Sequence, residues 1–307
     1  MEDYPKTQLE LEKRFTTDQA CREYLFALRW ADGFVCPRCQ GRQAWPMQGG
    51  RWLCAGCRHQ ASVTAGTIFQ ASHMPLPVWF RAIWQVTSQK QGASAIGVQR
   101  SLGLGSYETA WTMLHKLRRA MVRPGRDRLA GRVEVDETYL GGPTEGSYGR
   151  EGEGKALVVI AAQQDGKGIG RIRLRRVPDA SAASLQGFIT ESVDPGSTVR
   201  TDGWACYEGL KGKGYGHEVK ILSGRSEGAA VRLLPRVHRI ASLLKRWILG
   251  THHGAVSKTQ LDYYLDEFTF RFNRRTSASR GKLFYRLLQQ AVQVQPKPYK
   301  TLVRPNR

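Results

Sequence analysis

Four cysteines in two short knuckles constrain this chain more than any other feature. Cys36-Pro37-Arg38-Cys39 is followed by fourteen residues and then by Cys54-Ala55-Gly56-Cys57. Two C-x-x-C turns at this separation read as a four-cysteine zinc site, a redox role being the alternative. Tetrahedral zinc needs four thiolates, and each knuckle supplies two at little cost in chain entropy. Pro37 and Gly56 suit the tight turns, and Trp45, Trp52 and Leu53 are candidates to cover the metal. Cys36, Cys39, Cys54 and Cys57 complete the ligand set without nearby His59, so the zinc is expected to be structural. Cys21 and Cys206 stand alone and read as small buried hydrophobes. Clustered rather than paired cysteines fit a reducing compartment. The start, Met1-Glu2-Asp3-Tyr4-Pro5-Lys6, has no basic-then-apolar leader pattern, so the expected location is cytoplasmic.

Charge narrows the partner. The 307 residues carry 47 Lys+Arg against 26 Asp+Glu, a net charge of +21. A chain this basic suits a polyanion, because neutralising phosphates releases counterions. No run of about 18 apolar residues exists, which argues against a membrane span. Within this basic chain, two short strand-like segments end in carboxylates: Val133-Glu134-Val135-Asp136-Glu137-Thr138-Tyr139 and Ser197-Thr198-Val199-Arg200-Thr201-Asp202-Gly203. Aspartates at strand ends either cap turns or hold a cation that faces phosphates, as Mg²⁺ does with one or two carboxylates.

The pattern divides the chain into helical and strand-rich parts. Leu9, Leu11, Phe15, Cys21, Tyr24, Leu25 and Leu28 recur at helical spacing ahead of the knuckles. An aromatic helix around Leu76–Trp84 follows. Gly92–Arg100, the turn Leu102-Gly103-Leu104-Gly105-Ser106 and a helix from Tyr107 to Arg119 then resemble a helix-turn-helix, with Lys116, Arg118 and Arg119 as candidate DNA contacts. A plain helical hairpin with a solvated basic face is the alternative. After Pro124-Gly125-Arg126-Asp127-Arg128 the character turns to strand. Val133–Thr138, the apolar run Ala156–Ala162 and the alternating Ile169–Val177 are three strands, the last two joined by a turn at Asp165-Gly166. The glycine-rich loop Gly141–Gly154 lacks the G-K-[ST] ending of a phosphate-binding loop. Asp179 and Ser181 can cap a helix through Leu185, Phe188 and Ile189, and Thr198–Thr201 is a further strand. Pro235–Gly250 and Ser257–Asn273 read as basic amphipathic helices, and Val294–Arg307 as a loose basic tail.

Taken in order, these segments resemble the bacterial insertion-sequence transposases of the IS1595 family, with their ISXO2-like catalytic domain. The resemblance rests on the two knuckles, Ala65-Gly66-Thr67-Ile68-Phe69, Ala110–Lys116, Val135-Asp136-Glu137-Thr138-Tyr139, Thr201-Asp202-Gly203, Leu243-Leu244-Lys245-Arg246, Gly250-Thr251-His252-His253 and Tyr264–Arg274. It implies an α/β protein with an RNase H-like catalytic domain, preceded by a zinc ribbon and a helix-turn-helix-like region. The expected divisions are 1–69, 70–124, 125–290 and a basic tail 291–307. The implied function is DDE-type cleavage and strand transfer at terminal inverted repeats and target DNA, by a homo-oligomer. A catalytically inactive DNA-binding protein derived from such an enzyme is the alternative.

The resemblance also assigns roles. Asp136, on the first strand, is expected to bridge two Mg²⁺ or Mn²⁺ ions and Asp202 to hold one, so that attacking and leaving oxygens are both stabilised. Glu137 would point to the opposite face. Related transposases place Glu seven residues before the Lys of Leu-Leu-Lys-Arg, and this chain has His238 there. Seven residues are two helical turns, so His238 shares a face with Lys245. His238 is either the third ligand, better suited to Mn²⁺ than to Mg²⁺, a DNA contact, or the mark of an inactive copy. Glu267 is the other candidate ligand. Lys245 and Arg246 are expected to grip DNA near the cut.

Overall fold

The structure, a computed structural model, describes residues 2–123, 125–141, 155–220, 233–254 and 256–303. The chain forms two compact units: Met1–Arg123 with Thr276–Arg307, and Pro124–Arg275. The Gly141–Gly154 loop lies almost wholly outside the described residues.

The first unit is helical around a small ribbon. Thr7 and Thr17 cap α1 (Gln8–Arg14) and α2 (Asp18–Arg29) through their side chains. Ribbon strands β1 (Ala44–Met47), β2 (Arg51–Cys54) and β3 (Gln60–Ser62) form an antiparallel sheet. Then come α3 (Leu76–Ser88), α4 (Ala95–Leu102) and α5 (Tyr107–Ala120). Ser94 and Ser106 cap the last two, and left-handed Gly103 (φ 64°) ends α4, which makes the turn between them. The unit is closed by residues far along the chain. Phe284 packs 5.6 Å from Phe80, which sits 4.8 Å from Phe15. Residues 276–290, which the sequence reading runs on from the strand-rich part, thus lie in the first unit as α9 (Arg280–Ala291). Gly281 permits this: a Cβ there would meet the Pro5 carbonyl at 1.7 Å.

The second unit is built on one mixed sheet. Its strands are β4 (Arg132–Leu140), β5 (Ala156–Asp165), β6 (Gly168–Val177), β7 (Thr198–Thr201) and β8 (Gly216–Val219). Their order is β6-β5-β4-β7-β8; the first three are antiparallel, and β7 and β8 run parallel to β4. Left-handed Gly166 (φ 53°) turns β5 into β6. One face, with Val133, Val135, Val159 and Ala161, packs on Leu185, Phe188 and Ile189 of α6 (Ala182–Ser192). The other, with Val158, Ile160 and Ala162, packs on Val237, Ile240 and Leu244 of α7 (Pro235–His252) and Leu261, Leu265 and Phe268 of α8 (Leu261–Phe272). Burial of both faces is why Ala156–Ala162 is continuously apolar rather than alternating.

Candidate active site and zinc centre

The two knuckles adopt one geometry. Gln40 N–H donates to Cys36 O, and Arg58 N–H to Cys54 O, each at 3.0 Å. Both donors are left-handed, with φ of 64° and 60°. The sulfurs converge, Cys36 to Cys57 at 3.7 Å and Cys39 to Cys54 at 3.5 Å. Thiolates 2.3 Å from a tetrahedral zinc stand about 3.8 Å apart, so the set fits zinc. Among the described residues these four cysteines are the one group of three or more potential ligands that closes to metal-binding range. The cover differs from expectation. Trp45 is 54% exposed, and the ribbon packs instead on Phe26, Trp30 and Phe34, with Trp52 stacked on Phe26 at 4.5 Å. Cys21 is buried as expected, and burial pushes its thiol up to about 12.

Asp136 and Asp202 lie on and just after adjacent parallel strands of the larger sheet, and with His238 their ligand atoms do not all come within 4.8 Å of one another. In the parallel β4–β7 pair Glu134 stands opposite Arg200, 66 residues on. The pairing ends there; Asp136 lies two residues further along β4, and Asp202 is the first residue after β7. Asp136 Oδ1 accepts the Glu137 N–H at 2.9 Å, and Asp202 Oδ1 accepts the Trp204 N–H at 3.1 Å, so both carboxylates are oriented by backbone. Burial, and then the nearby charge of Glu137, hold the Tyr207 phenol well above its ordinary pKa. Asp136 and Asp202 add to this shift, so both lie in electrostatic reach of that hydroxyl. His238 comes from α7, and its Nε2 lies 3.7 Å from Asp136 Oδ2. Glu137 points the other way and accepts from Tyr207 at 2.9 Å. Glu267 is buried on α8 and paired with Arg271 at 3.5 Å. Carboxylate, carboxylate and imidazole are a donor set suited to a divalent ion, with Mn²⁺ favoured by the nitrogen.

Basic residues differ in their standing. Lys245 and Arg246 are exposed on α7. Lys245 lines a cleft of about 590 Å³ with Tyr139, Lys155 and Lys258. Arg118 corrects the sequence reading: it is 2% exposed and belongs to the core of the first unit, so it cannot meet a phosphate from there. Arg119 donates to the Gln295 carbonyl at 3.0 Å. Lys116 is held below its ordinary pKa, first by burial and then by Arg119. The reason is the C-terminal segment, which is not a loose tail. It forms α10 (Tyr299–Val303) with Leu302 buried, and sets Tyr299 beside Glu108 and 6.3 Å from Trp111, over the outward face of α5. The sequence reading also passed over Arg38, Arg42 and Arg58, which are exposed at the knuckles.

Comparison with known proteins decides the family. Residues 128–273 match the ISXO2-like transposase domain, and residues 16–60 match the transposase zinc-ribbon domain. The chain belongs to the IS1595 family. The ribbon match contains all four cysteines, and the IS1595 domain match contains Asp136, Asp202 and His238. An uncharacterised protein of the transposable element ISH50 of Halobacterium salinarum is 27% identical over 287 residues, covering 84% of this IS1595 chain and 92% of that protein. A chain of a simian T-cell lymphotropic virus intasome, solved with PP2A regulatory subunit B56 gamma, is 13% identical over 66% of this chain and 74% of its own. Its TM-score of 0.33 is too low to carry an argument. No helix among the described residues is long and apolar enough to cross a membrane.

Proposed function

We propose that this IS1595-family chain is a DDE-type transposase. It binds the ends of its insertion sequence and carries out metal-dependent strand cleavage and transfer on DNA. The observation that carries the reading is the contact of His238 with Asp136, the imidazole Nε2 3.7 Å from the carboxylate, with Asp202 directly after β7, the strand that runs parallel to β4. The sheet order β6-β5-β4-β7-β8, with Asp136 on β4 and Asp202 directly after β7, supports an RNase H-like fold for the second unit.

Asp136, Asp202 and His238 would hold Mg²⁺ or Mn²⁺, which supplies an activated water or 3′-hydroxyl and stabilises the leaving oxygen. The chain's own part is orientation. The backbone N–H bonds to Asp136 and Asp202 hold one oxygen of each carboxylate and so orient the side chains that would hold the ion. Lys245 and Arg246 neutralise phosphates beside the cut, and Lys155 and Lys258 extend that path along the cleft. The zinc ribbon, with Arg38, Arg42 and Arg58, binds the element ends. Pairing two ends needs two active sites, hence a homo-oligomer on DNA.

The test is cleavage and joining of a labelled element-end duplex with Mg²⁺ and with Mn²⁺, beside a binding assay on the same DNA. Cleavage lost in Asp136→Ala and Asp202→Ala, with binding kept, is the expected result. A wild-type chain that binds the ends and never cuts in either metal would instead be an inactive DNA-binding derivative, the reading that His in place of Glu at 238 favours.

A further inference from the structure

The start of α7 has an unusual cap. Its N-cap residue, Leu234, contributes no side-chain hydrogen bond. The first N–H groups of a helix lack intrahelical partners and sit at the positive end of its dipole. Here a carboxylate from the sheet meets them. Glu134 Oε2 accepts Arg236 N–H at 2.7 Å and Val237 N–H at 3.3 Å, and Oε1 accepts Arg236 Nη1 at 2.8 Å. Glu134 is 1% exposed. Arg236 Nε also donates to the Gly168 carbonyl at 2.9 Å, which ties the same helix end to the β5–β6 hairpin.

Stability alone does not call for this arrangement, because a buried ion pair seldom outdoes apolar packing of the same volume. Its placement gives another reason. Glu134 and Asp136 are two apart on β4 and share its α7-facing side. Arg236 and His238 are two apart on α7. The bonds from Glu134 hold the first turn of α7 against β4, and the same turn carries the His238–Asp136 contact at 3.7 Å.

We propose that Glu134 is a positioning residue that holds His238 at Asp136 by capping α7 from the sheet. This rests on the reading of Asp136 and His238 as a cation-holding pair.

The test uses the full zinc-loaded chain with Glu134→Gln, which keeps the volume and one acceptor but loses the charge. Arg236→Met removes the side-chain pair and leaves both backbone donors. Expected for Glu134→Gln is a folded protein with faster amide exchange at 236–240. Its kcat on the element-end duplex should fall about 10²-fold, the cost of about an ångström of misplacement, with KM for DNA unchanged. The His238 ring resonance, assigned by its loss in His238→Gln, should move from its wild-type chemical shift as the ring leaves Asp136. Arg236→Met should lose less than tenfold. A folded Glu134→Gln with wild-type kcat and an unshifted His238 resonance overturns the proposal. Should Glu134→Gln not fold, Glu134→Asp, with the charge kept and drawn back by one methylene, must lower kcat without changing KM, and wild-type kcat there overturns it equally. If Asp136→Ala still cleaves, the cation reading has failed, and amide exchange still shows whether Glu134 holds the helix.

Discussion

Tyr207 donates its hydroxyl to the Glu137 carboxylate at 2.9 Å, on the face of β4 away from Asp136. Two carboxylates adjacent in sequence thus have separate partners, Glu137 the Tyr207 hydroxyl and Asp136 the His238 imidazole. Asp136→Asn should abolish cleavage while leaving the fold intact, and Glu137→Gln should leave cleavage largely unchanged. Tyr207→Phe should cost about 1–3 kcal/mol in urea unfolding, since it strips the donor from a partly buried carboxylate. Loss of cleavage in Glu137→Gln with Asp136→Asn active would reverse the assignment.

The imidazole at 238 sets a metal preference. Wild type is expected to cleave better with Mn²⁺ than with Mg²⁺, because imidazole is a softer ligand than carboxylate. His238→Glu should move the optimum to Mg²⁺, and His238→Ala should lose activity in both. Equal rates for all three proteins in both metals would show that the side chain does not ligate.

Zinc content gives a direct measure of the ribbon. About one zinc per chain is expected, and Cys39→Ser should lose it along with sequence-specific DNA binding. The larger sheet packs on its own core, so its circular dichroism should survive. A Cys39→Ser protein with full zinc content would rule out the four-thiolate site.

Charge removal should act differently at buried and exposed arginines. Arg118→Ala should destabilise the first unit by about 2–5 kcal/mol, because it empties the site of a large buried side chain. Arg38→Ala and Arg58→Ala should be neutral in stability. Each should reduce the slope of log affinity for DNA against log salt by about 0.9 if it meets one phosphate. Unchanged slopes would remove the ribbon from the DNA contact.

Asp266, at the cleft formed by Arg126, Arg173 and Asp262, has its carboxyl pushed up to about 7 by burial. A carboxyl raised on folding favours the folded state while protonated. That stability is present below about pH 4 and is lost as pH rises towards 7. The loss is at most about 4 kcal/mol, and smaller as far as water in the cleft reaches the group. Asp266→Asn should flatten this part of the stability–pH curve and stabilise the protein at pH 8, measured by urea unfolding. A curve unchanged by the substitution would show that Asp266 titrates normally.

Much of the fold was legible where local chemistry dictates it. The knuckles, the doubly buried run Ala156–Ala162, the Asp165-Gly166 turn and the Ser181 cap each depend on residues close in sequence, and the structure has them there. Short β8 carries no period that separates it from loop. The helix Arg280–Ala291 was missed, and nothing in its own pattern tells which core will receive it.

By itself the sequence determined the zinc ligands and the order of β4, β5, β6, α6 and β7 in the second unit; Asp136, expected at a strand end, lies in the middle of β4, and Asp202 directly follows β7. The ligands and the order follow from ligand spacing and backbone periodicity, which act over a few residues. Tertiary structure alone decided that Arg118 is core, that the C-terminal segment covers α5, and that Glu134 caps a helix about a hundred residues away. An arginine or a glutamate reads as solvated in sequence. Its burial depends on which distant donor or acceptor meets it, because a buried charge is tolerated only with its partners in place.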